Sequence, residues 1–236
     1  MAEFKFPTEI VELPSKGLVY PEDNPLSEGK VEIKYMTAKE EDILTNQNYI
    51  AKGTVLDKLL ESMVVSKIKV KDLIVGDKNA LLVAARVLGY GKNYSFTYKG
   101  KQQNIDLSKV DNKIIDESMY KKGINEFSFT LPNSGNVIVY KILNGHDEDK
   151  VSNEIEGLKK INPEASPELS TRLKYMIQSV DGETERKSIR DFVDNYFLAI
   201  DSRAFRDHIR LTQPDVDLSY TLDGGEEVDI PIGIGF

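Results

Sequence analysis

The chain contains no cysteine. That excludes disulfides and thiolate metal sites, and it is the usage expected of a protein that folds without covalent cross-links. Only two histidines occur, His146 and His208. No run approaches the roughly 18 uninterrupted apolar residues of a membrane span. The segment Met1–Val11 carries Glu3, Lys5 and Glu9 and lacks the apolar stretch of a secretory leader. Basic residues are outnumbered, giving a net charge of -8 over 236 residues. General binding to a phosphate backbone is disfavoured by that balance, because neutralising phosphates needs a local excess of Lys and Arg.

What is there reads as a folded protein. Hydrophobic residues make up 40% and charged residues 30%, and a chain of this length buries enough surface to fold without staples. The opening is extended and rich in turns. Prolines 14 and 21 bracket a Lys16-Gly17 turn, and Val31, Ile33 and Tyr35 alternate with charged residues as in a half-buried strand. Thr37-Ala38-Lys39-Glu40 matches a capping box and predicts a helix to about Gln47. Thr54 caps a second helix with Val55, Leu59, Leu60 and Met63 on one face. Lys67, Lys69 and Lys71 alternate with Ile68 and Val70 as a short strand. Asp77 is the expected cap of a helix from Lys78 to Leu88, apolar almost all round, that ends at Gly89-Tyr90-Gly91.

The middle shifts to period two. Tyr94, Phe96 and Tyr98 turn at Lys99-Gly100-Lys101 into Ile105 and Leu107, a hairpin whose aromatic stripe is the core face of a sheet rather than a base-stacking platform. Phe127, Phe129 and Leu131 lead through Pro132–Asn136 into Val137, Val139 and Ile142, a second hairpin. From His146 to Ile161 the pattern is that of a charged surface helix. Ser166-Pro167-Glu168 starts another, with Leu169, Leu173, Met176, Ile177 and Val180 as its buried face. A helix from Glu185 to Leu198 and one capped by Asp201 and running to Leu211 follow, then a last hairpin around Asp223-Gly224-Gly225. The expected fold is α+β, with helical regions at 1–92 and 146–213, hairpins at 93–145 and 214–236, and one compact unit overall.

Reactive constellations are scarce. His146 begins an oxygen-rich run that a charged helix start explains, and His208 has neither a nucleophile nor a second histidine at helical spacing, so it reads as surface or partner contact. Asp215-Val216-Asp217 and the Asp223 turn do not fit a calcium loop. Gly89-Tyr90-Gly91-Lys92 lacks the spacing of a phosphate loop. Arg203, Arg206 and Arg210, at i, i+3 and i+7, share one helical side. Two readings are open for them: a solvated face paired with Asp207 and nearby acids, or a docking face for a carboxylate-rich partner.

Three stretches together carry a resemblance. Leu13-Pro14-Ser15-Lys16-Gly17-Leu18-Val19-Tyr20-Pro21, Met36-Thr37-Ala38-Lys39-Glu40-Glu41-Asp42-Ile43-Leu44 and Asp72-Leu73-Ile74-Val75-Gly76-Asp77-Lys78-Asn79-Ala80-Leu81-Leu82 follow one another at the spacing of the T-even-type phage baseplate hub family, which this chain resembles. Lys52–Asp57, Ile189–Val193 and Asp201–Arg206 fit it too.

The resemblance implies a structural or assembly protein of a contractile tail's baseplate hub, working in the host cytoplasm during assembly and in the virion if it stays. Its partners would be other hub proteins, with no nucleic acid and no membrane span, and no catalytic residue, cofactor or metal is assigned. Relatives carry Cys-x-x-Cys pairs where this chain reads Tyr98–Asn104 and Ser219–Glu226. The hairpin at Tyr94–Leu107 and the tail hairpin at Leu218–Ile230 are therefore expected to be neighbours, packed without metal. The candidate partner-binding residues are Leu13, Pro14, Leu18 and Tyr20, the Arg203, Arg206 and Arg210 side, and the apolar end at Ile232, Ile234 and Phe236, read as a strand able to add to a partner's sheet. The rival readings are a transient assembly chaperone and a hydrolase of cell-wall sugars, since Asp and Glu total 39.

Overall fold

Proline and glycine decide how the chain starts. In the computed structural model, which describes residues 7–222 and 225–232, strand β1 (Thr8–Glu12) pairs antiparallel with β2 (Lys30–Lys34). The intervening segment folds back through left-handed residues Lys16 (φ 51) and Gly17 (φ 76). A Cβ on Gly17 would lie 2.4 Å from the Ser27 carbonyl oxygen, so only glycine allows the two arms of this turn to touch. Helices α1 (Ala38–Leu44), α2 (Gln47–Ala51), α3 (Val55–Met63) and α4 (Val75–Tyr90) follow. Lys67–Lys71, expected in a strand, forms none, and a 3-10 turn closes at Val70–Asp72 instead. Alternation alone was not enough there: Lys71 turns to Asp57, and the Ile68 N–H bonds the Ser66 carbonyl locally at 2.8 Å.

Strands β3 (Asn93–Tyr98) and β4 (Lys101–Asp106) form the first expected hairpin, turning at Lys99 and Gly100, both at positive φ. Strands β5 (Phe127–Thr130) and β6 (Val137–Tyr140) form the second. Next come α5 (Gly145–Ile161), α6 (Glu168–Met176) and β7 (Ile177–Val180), which joins β6 as a third strand. Here the expectation of one helix reaching Val180 fails. Ile177 pairs with Tyr140 and Val180 with Ile138, and the Arg186 guanidinium bonds the carbonyls of Lys174 and Ile177 where α6 stops. Leu169, expected inside, is exposed, and Pro167 rather than Ser166 holds the cap position. Helix α7 (Arg186–Asp191), a π-helical turn (Phe192–Tyr196) and α8 (Ala199–Thr212) precede the last hairpin, β8 (Ser219–Thr221) with β9 (Glu227–Asp229).

The α+β class holds, and the single unit expected is replaced by two. Residues 1–114 with 214–236 form unit 1, and 115–213 form unit 2. Within unit 1 the β3–β4 and β8–β9 hairpins are neighbours. Tyr94, Phe96, Ile105, Leu107, Val228 and Ile230 share one buried cluster. The Phe96 and Tyr220 rings meet edge to face at 6.2 Å, and the turns touch through Glu226, which accepts from Tyr98 (3.0 Å) and Lys99 (2.7 Å). The aromatic stripe is thus a core face. No strand forms at Pro231 or Ile232.

Helix α4 is the spine of unit 1, with Ala80, Leu81, Leu82, Val83 and Ala85 buried. The chain crosses its start at Pro214, so close that a Cβ on Gly76 would sit 1.9 Å from the Pro214 carbonyl oxygen. G76A is expected to lower stability by about 3 kcal/mol, read from the urea midpoint. A variant as stable as its parent would show that this crossing is not tight.

Candidate functional site

Five carboxylates are buried among the described residues: Glu40, Asp57, Asp77, Asp147 and Asp201. Each is the third residue of its helix, in α1, α3, α4, α5 and α8 respectively. A side chain there leans back toward the helix start and lies in the positive end of the helix dipole, which offsets part of the cost of burying a charge. Two of these acids had been expected to cap their helices. The structure puts Ile74 and Leu198 at the cap positions instead, with no side-chain bond from either. Asp77 and Asp201 are free to reach across to another segment.

Asp77 holds the chain's entry in place. Its oxygens accept from the Ser15 backbone N–H (2.9 Å), the Ser15 hydroxyl (2.6 Å) and the Tyr20 hydroxyl (2.5 Å), and that hydroxyl accepts in turn from the Ile74 N–H (3.0 Å). Burial pushes Asp77 up to about 6 even against these bonds, and burial beside Asp77 pushes the Tyr20 hydroxyl well above its ordinary range. Glu40 shows the opposite balance. Burial raises it too, but Lys34 (2.8 Å), Ser62 and Thr37 outweigh that and hold it at about 2. Asp201 accepts from the Asn133 and Ser134 backbone N–H groups at 2.8 and 2.9 Å, fixing the β5–β6 turn. Asp57 is held by Lys71 (2.6 Å) and Lys78, and Asp147 by Lys141 (2.7 Å).

These bonds decide the candidates at the entry. Leu13, Pro14 and Tyr20 are buried and Leu18 is half-buried, so the expectation that they meet a partner gives way. They are the plug that Asp77 anchors. Ile232 is half-buried against Ala80, Val83 and Val216, while Ile234 and Phe236 lie outside the described residues. His208 is also corrected, from surface to half-buried. Its Nε2 is 2.9 Å from the Tyr140 hydroxyl, its ring stacks on Phe129 at 4.5 Å, and burial lowers its pKa. His146 is exposed beside Asn144, whose side chain caps α5.

Arg203, Arg206 and Arg210 are exposed on α8. The opposite side of that helix is anchored by Phe205, which is fully buried against Tyr140 (5.0 Å between ring centres) and Phe129 (5.7 Å). At about 100° per residue, Arg203 and Arg210 point directly away from Phe205 and Arg206 lies at the margin. The sequence reading missed what surrounds them. Ile200 is 59% exposed and Leu211 75%, with Tyr196 (64%) and Leu198 (49%) just before the helix. The spacing 200, 203, 207, 211 was available as a signal, but the spacing of apolar residues on one helix does not tell a buried face from an exposed one.

In unit 1 a cleft of about 780 Å³ is lined by Asn104, Asp106, Asp111, Lys113, Asp217 and Tyr220 among others. Two of its acids bond within their own loops, Asp106 to Ser108 and Asp217 to Ser219. Asp106 is held below the usual carboxylate range by Ser108 and Lys92, and Asp217 by Ser219. General acid chemistry needs one carboxyl of a pair pushed up, and neither of these is. Among the described residues no three His, Asp or Glu side chains are grouped to hold a metal, and no helix is long and apolar enough to cross a membrane. No family model, curated protein or solved structure matches the chain.

Two of the three buried acids of unit 1, Asp77 and Glu40, predict opposite pH slopes. Asp77 is raised on folding, so its contribution is full below its unfolded value near 4 and is lost as pH rises through about 6. Relative to D77N, the parent should lose on the order of 2–3 kcal/mol over that interval. Glu40 is depressed, so its contribution is present above about 4.5 and is lost as pH falls toward 2. Urea midpoints of parent, D77N and E40Q from pH 2.5 to 7 check both, and parallel curves would contradict the assignment.

Proposed function

We propose that the chain is a structural or assembly component of the baseplate hub of a contractile phage tail, acting by binding other proteins of that hub. The observation that carries a binding role is the outward side of α8, where Ile200 and Leu211 stand exposed among arginines while the helix's other side is locked into unit 2. Apolar anchors with arginine, and few other charges, are the composition of contact surfaces rather than of plain solvent-facing helix. An ion pair there, Arg210 to Asp207 at 3.6 Å, is more than half exposed on both sides and contributes little to the fold. It is available to a partner.

The resemblance to hub proteins supports the choice of partners. The residues that carry it are those that hold unit 1 together: Ser15, Gly17 and Tyr20 in the plug, Thr37 and Glu40 in the capping box, Gly76 and Asp77 on α4. What the resemblance suggests is a shared scaffold, and a scaffold is what a hub component contributes. The net charge of -8 fits protein partners better than a phosphate backbone.

Tagged full-length chain produced during infection should capture other baseplate proteins. I200S/L211S should reduce that capture by roughly 10-fold or more and leave the far-UV CD and urea midpoint unchanged, since both side chains are exposed. Absence of capture, or capture indifferent to the substitutions, overturns the reading. Mass spectrometry of purified virions then separates a resident subunit from an assembly factor that leaves.

A further inference from the structure

The outward side of α8 has an internal symmetry that names a partner. Along the 14 residues of this helix, apolar Ile200 lies near one end and apolar Leu211 near the other, with Arg203 and Asp207 between them. Ile200 and Leu211 lie on the same side of the outward midline, while Arg203 and Asp207 straddle it. When a helix of this kind is laid against a copy of itself running the opposite way, residues whose numbers sum to about 410 come to the same height, because the rise per residue is constant. Arg203 then faces Asp207 of the copy, Asp207 faces Arg203, and Ile200 faces Leu211 at each end. The pattern is complementary to itself only in this antiparallel arrangement. In a parallel pair like would meet like, with Arg203 on Arg203 and Asp207 on Asp207.

We propose that the protein self-associates through α8, two copies packing antiparallel about a twofold axis level with Phe205 and Arg206, with two Arg203–Asp207 pairs at the centre and an Ile200–Leu211 contact at each end. The interface is isologous, as twofold dimers require. Tyr196 and Leu198 stand exposed just before the helix. The π-helical turn Phe192–Tyr196 brings the chain to that point, with Phe192 and Phe197 stacked at 5.4 Å beneath it. Arg203 and Asp207 are both exposed in the single chain, and the Asp207–Arg210 pair costs little to exchange. One helix pair is at the low end of interface sizes, so the dimer has a Kd on the order of tens of micromolar.

This rests on the same surface as the assembly reading, on which a hub protein and a second copy would compete, and the test keeps the two apart. Sedimentation equilibrium of the purified full-length protein should show a concentration-dependent dimer. R203D sets carboxylates against carboxylates, and D207R sets guanidinium groups against guanidinium groups. Each should weaken dimerisation by roughly 10-fold or more. The exchange R203D/D207R restores complementarity across the twofold axis and should recover the parental constant within about threefold. Both substituted positions are exposed, and a unit 2 that fails to fold would be seen by CD before the association is read. A protein monomeric at all concentrations, or a dimer untouched by R203D, or a double variant no better than either single one, overturns the proposal. If the chain is monomeric yet I200S/L211S still loses its hub partners, the dimer fails and the hub reading stands. If the dimer behaves as expected and no hub protein is captured, the reverse holds.

Discussion

A charge taken out of water must be met by fixed donors or by another charge, and unit 1 is arranged around one charge that has only donors. Asp77 has no cation within bonding distance among the contacts that hold it. It is satisfied by one backbone N–H and two hydroxyls, and by the start of α4 on which it sits. Those donors come from residues 15 and 20, so satisfying the carboxylate requires the entry segment to be wound into place. Leu13 and Val19 are then carried into the core, Gly17 lies against Ser27, and β1 and β2 pair across the base of the turn. Much of unit 1 is thus specified by a polar network whose members must all be present for any of them to be worth burying.

The same device recurs with different partners. Asp201 meets backbone donors of the β5–β6 turn, Asp147 and Asp57 meet lysines, and Glu40 meets a lysine and two hydroxyls. What varies is the sign of the outcome. With a cation nearby, the carboxylate of Glu40 is held well below its ordinary value. Asp77 stays above it because burial outweighs its hydroxyl and amide donors, whereas Asp201, held by the Asn133 and Ser134 donors, is lowered without a cation. The position in the helix is common to all five, and it turns a local preference for acids in the first turn into long-range ties between segments.

This explains what was legible in the sequence. Hairpins at 93–106 and 127–140 were plain because period two and turn residues are local signals, as was the capping box at Thr37, where both bonds form within four residues. The apolar run of α4 announced a core helix. An aspartate in a first turn looks alike whether it caps its own helix or bonds residues sixty positions away, and only the tertiary structure separates the two. Ile177–Val180 continued a helical spacing, yet the free edge of β6 claimed it, a competition no window of residues contains. His208 looked idle because its neighbours Phe129 and Tyr140 lie on another element. The arginines of α8 were visible, and the exposed Ile200 and Leu211 were not, since burial is not a property of one helix alone.

The path of the chain has a last consequence, for how the protein folds. Unit 1 is interrupted after residue 114 and resumes at 214, where Lys113 donates to Asp215 (2.8 Å) and Asp217 to Asp111 (2.8 Å). Closing a flexible loop of roughly a hundred residues costs about 2 kcal/mol more than closing one of ten. Unit 2 holds its own ends near each other, with the Tyr120 hydroxyl on the Thr212 carbonyl at 2.7 Å. Once it has folded, most of the loop is already shut, and the late-arriving strands of the tail reach α4 as though from a neighbouring turn. Formation of the inserted unit lowers the loop-closure cost of completing its host through the continuity of the backbone itself.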